Sequence, residues 1–249
     1  MANHFFQIFL SDLDENLPEV LNCQVSKFKQ LYSDCDYQCF DRHSLRAFVA
    51  DVYGDEVLKA YDCLRPLAYK ADLGRYCLVY ALGGWYADIT LKPLVGLRLS
   101  EHIEMVYFYD FGAGLPDPTR SAHDVMNAFF FAKAGHPVLS QTIESILRNC
   151  RNQEYGLSAL SVTGPTLLGR AIAQHAPSLN MMPGHFMPLT PFHQKQNRSF
   201  VTQDGTIAAL HKSAWHDGTP GGGQLECFGL RGTNNYEWLW HQRLVFNTE

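Results

Sequence analysis

The stretch of sequence that decides the fold is residues 70–90, which reads KADLGRYCLVYALGGWYADIT. Its first part predicts a helix in which Asp72 and Arg75, three positions apart, lie on one face. A Gly-Gly pair then ends the helix, and the residues that follow predict a strand that carries Asp88. Open α/β sheets bind ligands at the carboxyl ends of their strands. The sequence therefore predicts that Asp72, Arg75 and Asp88 lie close together at such an edge.

The chain before this stretch alternates between strand-like apolar runs and apolar residues at helical spacing. Residues 57–82 predict a long helical region that Pro66 divides or bends. Strand, helix, strand, helix is the beginning of an α/β domain with a largely parallel sheet. The earlier predicted elements are strand 4–10, helix 17–31, strand 37–40 and helix 44–53.

The chain after the Gly-Gly pair predicts shorter elements and more irregular segments. Neither an internal repeat nor a long linker is present in the sequence, so we predict a single domain over residues 1–249. The predicted elements are strands 85–91 and 104–111, a loop at 112–121, helices 124–134, 137–149 and 163–175, an irregular region at 177–199, and short strands with a glycine run in 200–249.

Composition limits the class of partner. The net charge of −5 argues against a nucleic-acid partner, which requires a basic face. The seven cysteines are odd in number and scattered, which is typical of reduced thiols in a cytosolic protein. The sequence contains neither a signal-peptide pattern nor an apolar run long enough to span a membrane. We therefore expect a cytoplasmic protein, with peripheral association at the inner face of a membrane as a further expectation.

The pattern Ala-Asp-x-x-Arg-Tyr followed by Gly-Gly-x-Tyr-x-Asp in residues 71–88 resembles a known family. It is similar to the glycosyltransferases with a DXD sugar-binding region. These include yeast-type initiating α-mannosyltransferases, bacterial capsule and lipopolysaccharide transferases and, more distantly, clostridial glucosylating toxins. Weaker similarities in the same order are FFQIF at 5–9, NAFF at 127–130, GHP at 135–137, TGP at 163–165 and HKSAW at 211–215.

The resemblance implies a GT-A-like fold, with a mostly parallel, Rossmann-like central sheet flanked by helices and an irregular C-terminal region. It also implies a function, the transfer of a hexose from a UDP- or GDP-sugar to a hydroxyl acceptor such as a glycan or lipid-linked glycan. Retention of configuration and a place in surface polysaccharide or glycoconjugate biosynthesis are further implications. Because no carboxylate is obviously placed as a covalent nucleophile, a front-face displacement is the expected mechanism.

The resemblance also assigns roles to individual residues. Asp72, Arg75 and Asp88 are the implied catalytic residues, because carboxylates accept hydrogen bonds from sugar hydroxyls and cations stabilise a leaving diphosphate. These three also bind the nucleotide sugar, as do Gln7, Phe9, Tyr86, Asn127 and Trp215. The implied ligands of a Mn²⁺ or Mg²⁺ cofactor are Asp88, Thr90, Ser213 and His211.

Thr90 departs from the family pattern, because it stands where the second acid of the DXD motif is expected. A neutral hydroxyl is a poorer ligand for a hard cation than a carboxylate is. Three outcomes stay open: a metal held by Asp88, Ser213 and the diphosphate; catalysis without a metal; or a degenerate module that binds a sugar nucleotide or glycan. An effector that glycosylates host proteins is a further alternative.

Several of these residues also have simple structural interpretations. Asp72 and Arg75 alone predict a helix-surface ion pair. Asn127 is typical of a cap or a polar satisfier, Tyr86 and Trp215 are typical of a core, and a histidine such as His211 most often faces solvent.

Overall fold

The computed structural model describes residues 3–12, 16–110, 124–175, 179–189, 198–211 and 235–247. The strands in these segments are β1 Asn3–Ile8, β2 Cys35–Phe40, β3 Gly84–Ala87, β4 Lys92–Pro93, β5 Met105–Asp110, β6 Phe129–Ala132, β7 Met181–Pro188, β8 Arg198–Thr202 and β9 Ile207–Leu210. The helices are α1 Glu19–Leu31, α2 Arg42–Tyr53, α3 Asp55–Cys63, α4 Leu67–Leu82, α5 Pro137–Asn152, α6 Pro165–His175 and α7 Tyr236–His241, and a 3-10 turn covers Ala159–Ser161.

All of these strands belong to one sheet, in the order β2-β1-β3-β6-β5-β7-β8-β9-β4. The α/β class is confirmed, as is the parallel arrangement of β2, β1 and β3, the strands that carry the predicted site. The β5–β7 pair is also parallel. The remaining pairings within the described segments are antiparallel, because β6 runs against both of its neighbours and β7, β8 and β9 follow one another directly. The single domain stays a prediction.

The core lies in two main layers, one on each face of the sheet. Successive side chains of a strand point to opposite faces, so Phe5 and Phe6 enter different layers. Phe6 belongs to the layer formed with α2 to α6, whereas Phe5 packs with Phe28 and Tyr32 at the end of α1. Helices therefore cover both faces, as the α/β pattern predicts.

Helix α4 is buried along most of its length. It begins after Pro66, which separates it from α3, and ends at Gly83, whose φ of +68° is the left-handed conformation that glycine adopts readily. Gly74 lets α4 approach α2, because a Cβ there would lie 2.7 Å from a methyl group of Leu45. A buried central helix explains why the polar side chains of Asp72 and Arg75 are enclosed by protein.

Three sequence predictions about elements are wrong. Residues 124–134, predicted as helix, form a bridge at Val125 and then β6, because the Phe129–Ala132 run pairs with both β3 and β5. The predicted irregular region contains β7, since its prolines do not prevent pairing: Pro183 precedes the residues that pair with β8, and Pro188 is the last strand residue. The predicted strand 85–91 ends at Ala87, and Lys92–Pro93 pairs with β9 as β4.

None of the helices in the described segments is both long and apolar enough to cross a membrane.

Candidate nucleotide-sugar site

The polar residues of the 70–90 stretch meet at one edge of the sheet. Strands β1 and β3 are parallel, so their carboxyl ends lie at the same edge, and the antiparallel β6 begins there. Ala87 pairs with Phe129, and the Asp88 amide donates to the Ala128 carbonyl at 2.7 Å. Asp88 and Asn127 therefore lie side by side, one leaving β3 and the other entering β6.

Arg75 of α4 joins these two residues to the helix. Its Nη2 atom is 3.2 Å from Oδ1 of Asp72, and its Nη1 atom is 3.0 Å from Oδ1 of Asp88. Nη1 also donates to the Asn127 carbonyl at 2.9 Å, and Nε donates to the Ala71 carbonyl at 3.2 Å. The side chain of Arg75 is only 6% exposed. It therefore acts as a buried link between α4, the end of β3 and the start of β6.

Asp72 is enclosed by hydrogen-bond donors. Besides Arg75, Oδ1 accepts from Nδ2 of Asn127 at 2.9 Å, and Oδ2 accepts from the Thr163 hydroxyl at 2.8 Å. Gly164 lies beside it, where a Cβ would be 3.3 Å from Oδ2. The Asp72–Arg75 pair is thus part of a buried network, and the alternative of a simple surface ion pair does not describe it.

The electrostatics of the cluster follow from its burial. Burial raises the pKa of the Asp72 carboxyl, while the Arg75 guanidinium and the hydrogen bond from Thr163 oppose that rise. Burial alone would lower the pKa of Arg75, but Asp88 and Asp72 hold it above its usual value, so the guanidinium stays charged. One cation between two carboxylates leaves a net negative site when both acids are ionised. Such a site favours hydroxyl donors or a cation over an anion.

Asp88 is the member of this trio that solvent reaches, with 34% of its side chain exposed. Its Oδ1 atom accepts from the Tyr86 hydroxyl at 2.8 Å as well as from Arg75. The Tyr86 ring also lies under the Arg75 guanidinium, 4.6 Å from its central carbon. Both of these contacts use Oδ1, and neither occupies Oδ2.

The residues predicted from the first strand divide into two environments. Gln7 is fully buried, accepts from the Tyr37 hydroxyl at 2.7 Å, and donates to the backbone carbonyl of Asp88 at 3.5 Å. Phe9, by contrast, lies in a small apolar cluster that includes Ile89. Gln7 therefore contacts the backbone at Asp88, and Phe9 packs against Ile89, the residue that follows Asp88.

The predicted metal ligands are only partly described. Thr90 is buried, with 9% of its surface exposed. The pairing of Lys92 with Leu210 brings His211 beside the chain that follows Thr90. Ser213 and Trp215 lie outside the described residues.

The described part of the chain does not supply a complete set of side-chain ligands for a divalent cation. It contains no group of three His, Cys, Asp or Glu residues that could hold a metal. Asp88 and the Thr90 hydroxyl alone do not fit a Mn²⁺ or Mg²⁺ site.

Sequence reasoning assigned no role to three residues that complete the network. The Tyr76 hydroxyl accepts from Nδ2 of Asn127 at 2.8 Å. The Thr163 hydroxyl donates to Asp72, and the Tyr37 hydroxyl donates to Gln7. Tyr76 and Thr163 lie within the family motifs Arg-Tyr and Thr-Gly-Pro, and this position in a motif was the one sequence feature that could have indicated a role for them. Tyr37 had no local signal, because only the β1–β2 pairing places it near Gln7.

Comparison with known proteins gives one similar curated sequence. It is inositol phosphoceramide mannosyltransferase 3 of Schizosaccharomyces pombe, which is 26% identical over 200 residues, covering 77% of this chain and 50% of that protein. The chain thus spans half the length of this relative. No protein-family model matches the chain.

Comparison of structures gives the fold. The PaToxG glycosyltransferase superposes with a TM-score of 0.50 at 14% identity, over 71% of this chain and 69% of its own. The UDP-bound glycosyltransferase domain of the YGT toxin superposes at a TM-score of 0.42 and 10% identity, covering 66% and 55%. That second score is too low to carry weight.

The fold is thus similar to that of a solved glycosyltransferase, in agreement with the GT-A-like fold that the motif in residues 71–88 implies. The curated mannosyltransferase is what the chain resembles in sequence, and PaToxG is what it resembles in fold.

Proposed function

We propose that this protein transfers a hexose from a UDP- or GDP-sugar to a hydroxyl acceptor. The observation that carries the proposal is the buried cluster of Asp72, Arg75 and Asp88 at the carboxyl edge of parallel strands, with Asp88 open to solvent. Buried charges in such a cleft are costly unless they serve a ligand or are fully paired. Here two carboxylates share one guanidinium, so acceptor capacity is left for a sugar.

In this proposal the two acids have different tasks. Oδ2 of Asp88 is the accessible acceptor for a hydroxyl of the sugar or ribose. Asp72 already accepts from Arg75, Asn127 and Thr163. A carboxylate has about four acceptor positions, so Asp72 offers one more hydrogen bond at most. Arg75 is a positioning residue, because its side chain contacts both acids and is almost entirely enclosed.

The leaving diphosphate needs positive charge that the cluster itself does not supply. The resemblance to the family implies that Ser213 and Trp215 lie over the diphosphate, and both lie outside the described residues. Mn²⁺ or Mg²⁺ held with the help of Asp88 stays a proposal, as does the participation of Thr90, Ser213 and His211. Metal dependence is therefore one arm of the assay below.

Retention of configuration is proposed through a front-face displacement. The acceptor oxygen bonds to the anomeric carbon as the bond to the diphosphate oxygen breaks, and the acceptor proton passes to that leaving oxygen. Engagement of Asp72 by three donors supports this mechanism, because a carboxylate so stabilised is a weak nucleophile. Proton NMR of the first product formed distinguishes retention from inversion.

A second candidate function is a module that binds a sugar nucleotide or glycan without turning it over. Thr90 and the lack of a complete cation site in the described segments favour it. Calorimetry separates the two functions, because a module binds donor with no release of free nucleotide. Glycosylation of host proteins by an effector is the remaining alternative, and we place the reaction instead in the synthesis of surface polysaccharide or another glycoconjugate.

The experiment is a nucleotide-release assay on purified protein with a panel of UDP- and GDP-sugars. GDP-mannose belongs in the panel because the sequence relative is a mannosyltransferase. Each donor is tested with Mn²⁺, with Mg²⁺ and with a chelator, and with glycan, lipid-linked glycan or water as acceptor. Release from one donor supports the transferase. Binding by calorimetry without release supports the module.

A further inference from the structure

Two cysteines that are distant in sequence have side chains that meet across two helices. Cys63 is the last residue of α3, and Cys150 lies in the last turn of α5. Their thiols are hydrogen-bonded to each other, and the sulfur of Cys150 is 3.8 Å from the carbonyl oxygen of Ala60. The contact results from the packing of α3 against α5. The structure thus holds two reduced thiols side by side, between the ends of two packed helices.

A cleft of about 820 Å³ gives access to this pair, and both cysteines line it. Cys63 is half-buried and Cys150 is buried, so a small reagent that enters the cleft reaches Cys63 first. Asp72, Arg75 and Asp88 are absent from the described lining of this cleft. It is therefore separate from the candidate donor site.

The surroundings of the two thiols differ. The Lys70 ammonium group, buried against the carbonyl of Tyr61, is near enough to both sulfurs to interact with their charges. Burial lowers the pKa of Lys70 to about 8, so this group is still mostly a cation at neutral pH. The hydrogen bond to Cys63 and burial both raise the pKa of the Cys150 thiol, which keeps its proton. Cys63 is therefore the attacking group and Cys150 the resolving group.

We propose that Cys63 and Cys150 form a modification site, a dithiol that small disulfides entering the cleft convert to an intramolecular disulfide. The Cys63 thiolate attacks one sulfur of a reagent R–S–S–R, which forms Cys63–S–S–R and releases R–S⁻. Cys150 then loses its proton to solvent and attacks the Cys63 sulfur, which releases the second R–S⁻. The two cysteines lose two protons and two electrons, and the reagent takes up the electrons as two thiolates.

The cross-link ties together two of the helices that pack on α4. Helices α3 and α5 contact each other, and both contact α4, which carries Asp72 and Arg75. A disulfide restricts the unfolded chain, so oxidation raises the midpoint of thermal unfolding. The modification site does not depend on the proposed transferase activity.

The test is incubation of the folded, full chain with oxidised glutathione, followed by alkylation, digestion and mass spectrometry. We expect a linked pair of peptides containing Cys63 and Cys150, the loss of two free thiols, and reversal by dithiothreitol. Cys63→Ser and Cys150→Ser each abolish the linked pair. Cys39→Ser, at an exposed cysteine of β2, retains it.

Cys150→Ser alters a buried position and can impair folding, so the proposal is judged on the oxidised wild-type chain. Circular dichroism confirms that the oxidised wild-type chain is folded. The proposal is overturned if that folded chain carries only glutathione on Cys63, or leaves Cys63 and Cys150 both free.

Discussion

The guanidinium of Arg75, which is only 6% exposed, holds the carboxylate of Asp88, which is 34% exposed, at 3.0 Å. A buried cation thus fixes the one acid of the cluster that a ligand reaches from solvent. The same guanidinium lies 3.2 Å from the enclosed carboxylate of Asp72. Stability and the proposed donor binding therefore depend on the same three side chains.

Arg75→Met removes the cation from between these two acids. We expect a loss of about 3–5 kcal/mol in the free energy of unfolding, because the buried Asp72 is left uncompensated. Denaturant unfolding measures it. The matched control is Arg46→Met, whose ion pair with Asp62 lies at the surface and contributes much less. Adding Asp72→Asn to Arg75→Met recovers part of the loss. Equal costs for Arg75→Met and Arg46→Met would contradict the prediction.

Thr163→Val removes the hydroxyl that donates to Oδ2 of Asp72 but keeps the shape of the side chain. We expect a cost of about 1–3 kcal/mol, because a buried acceptor loses its partner. Thr163→Ser keeps the donor and costs less. Chemical denaturation of both variants compares them, and the donor-release assay is expected to show the same order. A Ser variant as impaired as the Val variant would indicate that packing, and not the hydroxyl, matters here.

Gly84→Ala tests why the motif contains paired glycines. Gly84 has a φ of +118°, and a Cβ there would lie 2.3 Å from the carbonyl oxygen of His4 on β1. Gly205→Ala is the control, since its φ is +86° but nothing lies within 4 Å. We expect Gly205→Ala to lower the free energy of unfolding by about 1–2 kcal/mol, because alanine must adopt the left-handed backbone conformation. We expect Gly84→Ala to cost clearly more, because β1 must also move, and thermal unfolding decides between this result and equal costs.

His136 gives the protein a dependence on pH. Its ring is buried, neither nitrogen has a hydrogen-bond partner among the described residues, and burial lowers its pKa from 6.5 to about 4 despite the nearby Glu104. Between these pH values the unfolded chain binds the extra proton, so stability falls on acidification. We expect about 1–3 kcal/mol of this loss to disappear in His136→Leu.

The control for His136→Leu is His102→Gln, at an exposed position. Unfolding free energies measured from pH 7 to pH 4 give the slope for each variant. A slope unchanged by His136→Leu but changed by His102→Gln would assign the loss to another group.

The α/β class and much of the N-terminal fold could be predicted because strong local signals mark those elements. Pro66 and Gly83 bound α4 as expected, for example. Residues 129–132 could not be placed, because an apolar run of that length suits a buried helix or a buried strand equally. Its pairing with β3 and β5 comes from distant parts of the chain.

The candidate site was predicted as far as its motif extends. The proximity of Asp72, Arg75 and Asp88 could be predicted because the first two lie on one face of a helix and the third follows the next strand. Thr163 could not be connected to Asp72, since 91 positions separate them and only the tertiary fold brings the chain before α6 to Asp72. Nor did spacing indicate that Arg75 would be enclosed between two acids.

The most direct test of the proposed function is donor turnover by wild type and by Asp88→Asn, which removes the charge of the accessible acid and keeps its shape. Asp36→Asn, at an exposed acid on β2, is the control. We predict that wild type and the control release nucleotide from at least one UDP- or GDP-sugar, and that Asp88→Asn, still folded, is slower by about 100-fold. Turnover unaffected by Asp88→Asn, or no turnover of any donor by wild type with or without Mn²⁺, would contradict the proposal.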